Sequence, residues 1–205
     1  MMPRRLFQLF FGLVLYGASM ALMLRAALGL DPWDVFHQGL AEQVGFSIGQ
    51  VVNLVGLVVL LLWIPLKQRP GVGTLANVAL IGTTMDMTLS VLPPIEGLGL
   101  QVAALVVSVV ANGIAGALYI GAGLGPGPRD GLMTGLARRT GWSLRLVRTG
   151  IELTVLGLGW LFGGTVGVGT LLYAFTIGPL VQFFLPMVTI CDHMSNTQET
   201  TPVKA

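Results

Sequence analysis

The sequence has few of the residues on which soluble enzymes and disulfide-stabilised domains depend. One cysteine, Cys191, among 205 residues excludes an intramolecular disulfide and a cysteine metal cluster. Charged residues make up 10% of the chain, whereas soluble domains carry about 25%. No polar stretch exceeds about 20 residues, which leaves no room for a separate soluble domain. The net charge of +2 is too small to indicate a nucleic-acid partner.

Motifs for catalysis and for nucleotide or metal binding are also missing. The two histidines, His37 and His193, are isolated, and no His, Cys or carboxylate pair has metal-ligand spacing. There is no Walker A motif, which argues against ATP hydrolysis, and no G-x-S-x-G element. We therefore expect no enzyme activity, no metal ion and no cofactor, although a Ser–His–Asp arrangement brought together by folding stays open.

Long apolar runs make up most of the chain, which is 54% hydrophobic with a mean hydropathy of +0.82. Runs of about 20 residues recur, the length that crosses about 30 Å of hydrocarbon. The first run also has the basic start of a signal peptide, but it continues to Leu30 and is interpreted as a structural helix. Prolines and a Gly-Gly pair mark the ends of six predicted transmembrane spans: 6–28, 47–66, 71–93, 98–122, 143–163 and 167–190.

Two segments between the predicted spans, 32–44 and 128–140, are too short to cross a membrane. Each begins with proline, a favoured first residue of a helix. They are predicted to be interfacial or re-entrant helices. Residues 191–205 are predicted to be a polar, disordered tail.

The positions of Lys and Arg predict the orientation of the chain in the bilayer. Arg4 and Arg5, the turn at 67–69 and the five arginines between 129 and 148 all fall on one side if there are six spans. By the positive-inside rule this side is cytoplasmic, and both termini lie there. The four tryptophans fall near span ends or short helices, as an interfacial aromatic belt requires.

The sequence contains an internal duplication. Residues 17–90 align with 113–186 at a constant offset of 96, without a gap and with about 25 identities in 74 positions. The pentapeptide GVGTL at 71–75 recurs in register at 167–171. Each copy holds three predicted spans, and an odd number implies that the copies are inverted relative to each other. The predicted fold is therefore an all-α membrane protein with six transmembrane helices, arranged as two inverted three-helix repeats (1–96 and 97–190) that each carry a short helix.

Each short helix is preceded by a turn rich in glycine and carries a carboxylate in its first turn. A carboxylate in the first helical turn favours the helix dipole, and stabilisation of the helix start is one interpretation. The other is that these turns act as gates, one at each face of the membrane. The gating residues would be Pro32, Asp34, Gly125, Pro128, Arg129 and Asp130.

The duplicated GVGTL motif opens the third and sixth predicted spans. Its threonines, Thr74 and Thr170, can cap a helix start, and its glycines permit close helix packing. Close packing is one interpretation, and contact with an anion or a substrate at a broken helix is the other.

Charged and amide side chains inside predicted spans are candidate substrate sites, because a charge in lipid costs about 2.5–3.5 kcal/mol. Arg148 and Glu152 are one helical turn apart and can pair on one face. We interpret them as a substrate or proton site, with a structural ion pair as the alternative. The other candidates are Asp86, Asn53, Asn77 and Asn112, and for the amides the alternative is hydrogen bonding between helices.

Several stretches resemble the YczE-like bacterial membrane proteins, which include the YyaS and YitT names. They are LGLDPWDVFHQGLAEQVGFSIGQ, GLGPGPRDGLMTGLARRTGWSLRLVRTGIEL and the GVGT at 71–74 and 167–170, and the resemblance covers about residues 5–188. It implies an integral protein of the bacterial inner membrane and supplies no mechanism. The family motif falls here on Pro32, Asp34, Pro128, Arg129, Asp130, Arg148 and Glu152, without assigning them roles.

Inverted repeats are the architecture of many secondary transporters. We therefore predict a transporter or facilitator of a small polar or charged metabolite, in which Arg148 holds an anionic group and Glu152 couples protons or binds a cation. The alternative is a non-transporting membrane partner of a cytosolic enzyme or complex, which would depend on Arg138 and Arg139. The expected partners are the lipid bilayer and the substrate, and homo-oligomerisation stays open.

Overall fold

The computed structural model describes residues 2–190, and these residues form eight helices and no strands. The helices are α1 (Met2–Ala26), α2 (Pro32–Val44), α3 (Ile48–Leu61), α4 (Val72–Val91), α5 (Leu98–Gly121), α6 (Pro128–Thr140), α7 (Leu144–Leu161) and α8 (Val168–Val188). The predicted all-helical class and both short helices are confirmed. The predicted tail, 191–205, lies outside the described residues.

Three helices are long and apolar enough to cross a membrane: α1, α5 and α8. A fourth span results if α2 and α3, which meet at 110°, are counted as one bent crossing. The other predicted spans are helical but fall outside this set. With 14 residues α3 is about 21 Å long, while α7 carries three charged residues. The six-span arrangement is therefore not confirmed and stays a prediction.

The two copies of the duplicated sequence have matching local structure. The short helices α2 and α6 start at Pro32 and Pro128, and α4 and α8 start at Val72 and Val168, again 96 residues apart. The residues that precede the short helices share the same backbone conformation, with φ −63° and ψ 158° in both. The aligned sequences thus direct the same order of helices twice.

Helices α1 and α5 pack along each other at the centre of the molecule, α4 packs on α1, and α8 packs on α5. Glycines let these backbones approach closely, since a Cβ at Gly17 of α1 would collide with the carbonyl oxygen of Ile81 in α4. Buried apolar side chains fill the contact between α1, α3, α4 and α5, among them Leu9, Leu13, Met20, Val52 and Met85.

The GVGT helix starts bind the turn of the opposite copy. We call residues 27–31 and 123–127 the glycine turns. The Gly73 N–H donates to the Leu124 carbonyl at 2.8 Å, and the Gly169 N–H donates to the Leu28 carbonyl at 2.7 Å. A Cβ at Gly71 would collide with the same Leu124 oxygen. Close packing accounts for the duplicated motif, because a larger residue would push the two copies apart.

Candidate functional site

A cavity of about 290 Å³ lies at the centre, and every one of the eight helices contributes residues to its lining. All three tyrosines of the chain line it. The ionisable lining residues are Tyr16, Asp31, His37, Tyr119, Arg129, Asp130, Arg148, Glu152 and Tyr173. A cavity lined by apolar side chains and a limited number of polar groups is the usual form of a small-molecule site.

The starts of the two short helices meet at this cavity. The Arg129 guanidinium of α6 lies 4.8 Å from the centre of the Trp33 ring of α2. It also lies 3.9 Å from Oδ1 of Asp31 and 3.9 Å from Oδ1 of Asp34. The prediction that the two turns lie at opposite faces of the membrane is therefore wrong. Both turns point inward, because each short helix starts in the interior and runs outward.

Asp31 caps α2, whereas α6 has no equivalent cap. The Asp31 carboxylate accepts the backbone N–H of Trp33 at 3.0 Å and that of Asp34 at 3.3 Å. Gly127 holds the matching position in α6 and has no side chain to offer. The α6 start therefore presents uncapped N–H groups where the α2 start presents a carboxylate.

The Asp31 carboxyl has an unusual protonation equilibrium. Burial, with the nearby Asp34 carboxylate, raises the pKa of Asp31 to about 7, and the Arg129 guanidinium opposes this rise only in part. The structure thus places a group that titrates near neutral pH at the cavity.

Asp34, a predicted gating residue, is fully buried. Its Oδ1 accepts a hydrogen bond from Nδ1 of His37 at 3.0 Å, while Oδ2 has no partner among the described residues. The sequence position of His37 suggests an isolated histidine. In the structure His37 is instead the buried hydrogen-bond partner of Asp34.

The start of α6 is held by two aromatic residues. The Trp63 indole N–H donates to the Pro128 carbonyl at 2.9 Å, and the Tyr119 hydroxyl donates to Oδ2 of Asp130 at 2.7 Å. Trp33 and Trp63 are buried, with 6% and 1% of their surface exposed, so the predicted aromatic belt does not include them.

Gly125 is needed in its turn because of its backbone angle. It has φ +122°, which side-chain-bearing residues rarely adopt, and it lies against Gly71, which precedes α4, and Thr74 of α4. The predicted gating residue thus serves the contact between the copies.

Arg148 and Glu152 form the predicted pair. Nε of Arg148 donates to Oε1 of Glu152 at 2.9 Å, and both residues line the cavity. The Arg148 side chain is 55% exposed and that of Glu152 is 33% exposed, so the pair lies at an open part of the cavity.

The four remaining candidates divide into two groups. Asn77 and Asn112 line the cavity, and Asn112 accepts the Tyr173 hydroxyl at 2.9 Å. Asn53 and Asp86 lie outside the lining and join α3 to α4. There Asn53 accepts the N–H of Gly82 at 3.0 Å, and Asp86 accepts that of Gly49 at 2.9 Å.

The matching helix pairs of the two copies differ in their packing. Helices α3 and α4 pack closely, and a Cβ at Gly82 would collide with the Gly49 carbonyl oxygen. Helices α7 and α8 both line the cavity but do not pack along each other. A Cβ at Gly178, which matches Gly82, would meet nothing within 4 Å. The cavity is therefore closed between α3 and α4 and lacks such a closure between α7 and α8.

Sequence reasoning missed the tyrosines and Asp31 as site residues. Asp31 directly precedes Pro32, and an Asp-Pro pair before an apolar run is a signature of a capped helix start. The tyrosines gave a weaker signal, which was their position within otherwise apolar runs.

Apolar helices of membrane-spanning length around a polar, ionisable cavity define an all-helical membrane protein. Residues 3–186 match the "Family of unknown function (DUF6198)", and the chain belongs to this family. This assignment covers nearly all of the described residues.

Relatives of similar length occur in two bacteria. The chain is 40% identical over 186 residues to an "Uncharacterized protein" of Haemophilus influenzae, covering 91% of this chain and 85% of the relative. It is 35% identical over 198 residues to the "Uncharacterized membrane protein YczE" of Bacillus subtilis, covering 96% and 92%. The "Uncharacterized protein YyaS" of Bacillus subtilis is 26% identical over 184 residues, covering 86% and 90%. These findings confirm the resemblance to YczE and YyaS, and no solved structure matches the chain.

Proposed function

We propose that the chain is a secondary transporter or facilitator of a small polar or charged metabolite. The observation that carries this proposal is the central cavity, to which all eight helices contribute and in which both signs of charge are present. Ionisable residues inside a membrane protein are costly, and they typically mark a substrate or ion pathway. The volume, near the small end of ligand cavities of about 300–1,000 Å³, suits a small metabolite.

The proposed architecture is six spans in two inverted repeats, in the bacterial inner membrane with both termini in the cytoplasm. Helix starts spaced by 96 residues support the repeat. The exchanged contacts at Leu28 and Leu124 support a symmetric relation between the copies. The distribution of basic residues supports the orientation.

Transport requires access from both sides, and the unequal helix pairs suggest how it arises. In the proposed cycle α7 closes onto α8 while α3 separates from α4. The open pair and the closed pair then exchange roles around a fixed cavity, as in transporters with inverted repeats. Gly178 leaves room on α8 for this approach.

A thermal-shift screen of the purified protein against metabolites would identify a ligand, and uptake into reconstituted vesicles would test transport. Glu152→Gln removes a titratable carboxyl and keeps the side-chain size. We expect this variant to bind ligand and to lose uptake driven by a pH gradient, whereas Glu96→Gln, outside the cavity lining, retains it. Unchanged uptake with unchanged pH dependence would contradict the coupling role of Glu152.

The alternative function, that of a non-transporting membrane partner, predicts the opposite effect of removing the cavity charges. It requires the cavity charges to be dispensable and the surface of Arg138 and Arg139 to be essential. Arg139 already donates to the Pro65 carbonyl at 2.7 Å, which ties α6 to the end of α3 and reduces its availability to a partner.

A further inference from the structure

The Arg129 guanidinium has hydrogen-bond donors that the described residues leave unused. Its carboxylate neighbours, Asp31 and Asp34, lie at 3.9 Å, beyond the 2.7–3.2 Å of an N–H···O hydrogen bond. Its central carbon lies over the Trp33 ring, 4.8 Å from the ring centre, a contact that restricts the position of the group. The side chain is 27% exposed and lines the cavity. A stacked guanidinium with free N–H edges is suited to bidentate binding of a carboxylate.

Two further donors lie beside this guanidinium. The start of α6 has no side-chain cap at Gly127, and an uncapped helix start favours an anion. The Trp33 side chain, 6% exposed and part of the same lining, has an indole N–H without a partner in the part of the chain that the structure describes. The Arg129 guanidinium and the α6 start thus place donors on one side of the cavity, and the buried Trp33 indole N–H lies on a ring in contact with that guanidinium.

Free acceptors lie on the side formed by α6 and α7. Asp130 uses Oδ2 to accept from Tyr119, and Glu152 uses Oε1 to accept from Arg148. The second oxygen of each carboxylate has no hydrogen bond within residues 2–190. Asp130 is also close enough to Arg148 to act on it electrostatically. These oxygens are suited to an ammonium group.

The charge balance of the lining separates the ligand classes. The Asp130 and Glu152 carboxylates balance the Arg129 and Arg148 guanidinium groups, and Asp31, with its pKa raised to about 7, adds partial negative charge near neutral pH. A purely anionic ligand would add to the excess negative charge, and a purely cationic ligand would leave the Arg129 donors unused. A ligand that carries both charges satisfies both sides.

We propose that the cavity binds a small zwitterion of the α-amino acid type, with its carboxylate on Arg129 and its ammonium group toward Asp130 and Glu152. This inference rests on the proposed transport function and names the ligand class of that site.

The test is a binding series with matched ligands on the full chain in detergent. The panel holds the common α-amino acids, their N-acetyl derivatives without the ammonium group, and their amides without the carboxylate. We expect at least one amino acid to raise the Tm. Its N-acetyl derivative and its amide should each bind at least about tenfold more weakly, since each loses a charge-assisted contact.

Variants separate the two ends of the ligand. Arg129→Gln should abolish binding, and Arg129→Lys should retain part of it, since lysine keeps the charge and loses the planar fork. Arg145→Gln, an exposed arginine outside the lining, should bind as the parent chain does. If Arg129→Gln does not fold, the ligand series on the parent chain still tests whether the cavity binds a zwitterion. Glu152→Gln should reduce the preference for the amino acid over its N-acetyl derivative.

The experiments distinguish failure of the zwitterion site from failure of the transport proposal. An N-acetyl derivative or an amide that binds as tightly as the amino acid would overturn the zwitterion, and so would a panel without any binder. Transport of another metabolite would then still stand. Tight binding of an amino acid that is never taken up into vesicles would support the zwitterion site and contradict transport.

Discussion

Arg129 and Trp33 hold the same position in the two copies of the duplicated sequence, and in the folded chain they stack on each other. Arg148 and Glu152 likewise match Val52 and Gly56 of the first copy. The charges of the cavity therefore come largely from positions at which the copies differ. Shared residues such as the two GVGT motifs build the contacts between helices instead.

Asp31 gives a prediction at the residue scale. A carboxyl whose pKa is raised to about 7 binds more protons in the folded chain than in the unfolded chain, where its pKa is near 3.8. The contribution of Asp31 to stability is therefore highest below its unfolded pKa of 3.8, falls as the pH rises toward about 7, and levels off above that value. We expect Asp31→Asn to remove this loss, because asparagine is always neutral and still caps a helix.

The measurement is the Tm of both chains in detergent between pH 5 and 8. The parent chain should lose Tm across this range relative to Asp31→Asn. The charged and titratable neighbours that shift the pKa of Asp31 are Asp34, Arg129 and His37. Tyr16 and Tyr173 are further titratable groups near Asp31. Parallel curves for the two chains would show that Asp31 is ionised throughout.

At the scale of helices, sequence predicted some elements to the residue and others poorly. Both short helices, 32–44 and 128–140, were predicted with the observed bounds, since a proline opens each and a glycine with positive φ follows each. Local chemistry sets such ends. The meeting of the starts of the two short helices was not predictable, because it depends on contacts between residues about 96 positions apart.

The site was predicted in part for the same reason. The Arg148–Glu152 pair follows from helical spacing alone, and it forms as predicted. Asp86 has the same appearance in sequence, a lone carboxylate in an apolar run, yet it joins α3 to α4. Only the tertiary structure distinguishes a carboxylate that caps a neighbouring helix from one that lines a cavity.

The matched glycines Gly82 and Gly178 give a prediction for the helix pairs. Gly82→Ala should destabilise the protein by about 1–3 kcal/mol, because the added methyl collides with the Gly49 carbonyl oxygen between α3 and α4. Gly178→Ala should leave the Tm unchanged and should slow uptake, because it obstructs the proposed approach of α7 to α8.

Thermal unfolding in detergent and initial uptake rates in vesicles would measure the two effects separately. Equal losses of Tm in both variants would contradict the unequal packing of the helix pairs. A Gly178→Ala chain with normal Tm and normal uptake would contradict the proposed closure.

At the scale of the whole molecule, the glycine turn of each half depends on the other half for a hydrogen bond. The carbonyl of Leu28 in the first half accepts from Gly169 in the second, and that of Leu124 accepts from Gly73. A chain cut between Glu96 and Gly97, in the connection from α4 to α5, should therefore reassemble when both halves are co-expressed.

Affinity purification through a tag on one half, followed by size-exclusion chromatography, would measure the reassembly. We expect the untagged half to co-purify at a one-to-one ratio. Replacing Gly73 with leucine should abolish co-purification, since the side chain would collide with the Leu124 turn. A half that purifies alone as a folded monomer would contradict the prediction.

The contacts of the two glycine turns have the reciprocal pattern of a symmetric homodimer. In a symmetric homodimer a patch i of one subunit contacts a patch j of the other, and j contacts i in return. The contacts Gly73–Leu124 and Gly169–Leu28 have this form, because Gly169 matches Gly73 and Leu124 matches Leu28 at the offset of 96. A chain of half the present length could make both contacts as a homodimer. Within one chain the two copies can differ, and one position is a tryptophan in the first copy and an arginine in the second, which no homodimer of identical subunits can achieve.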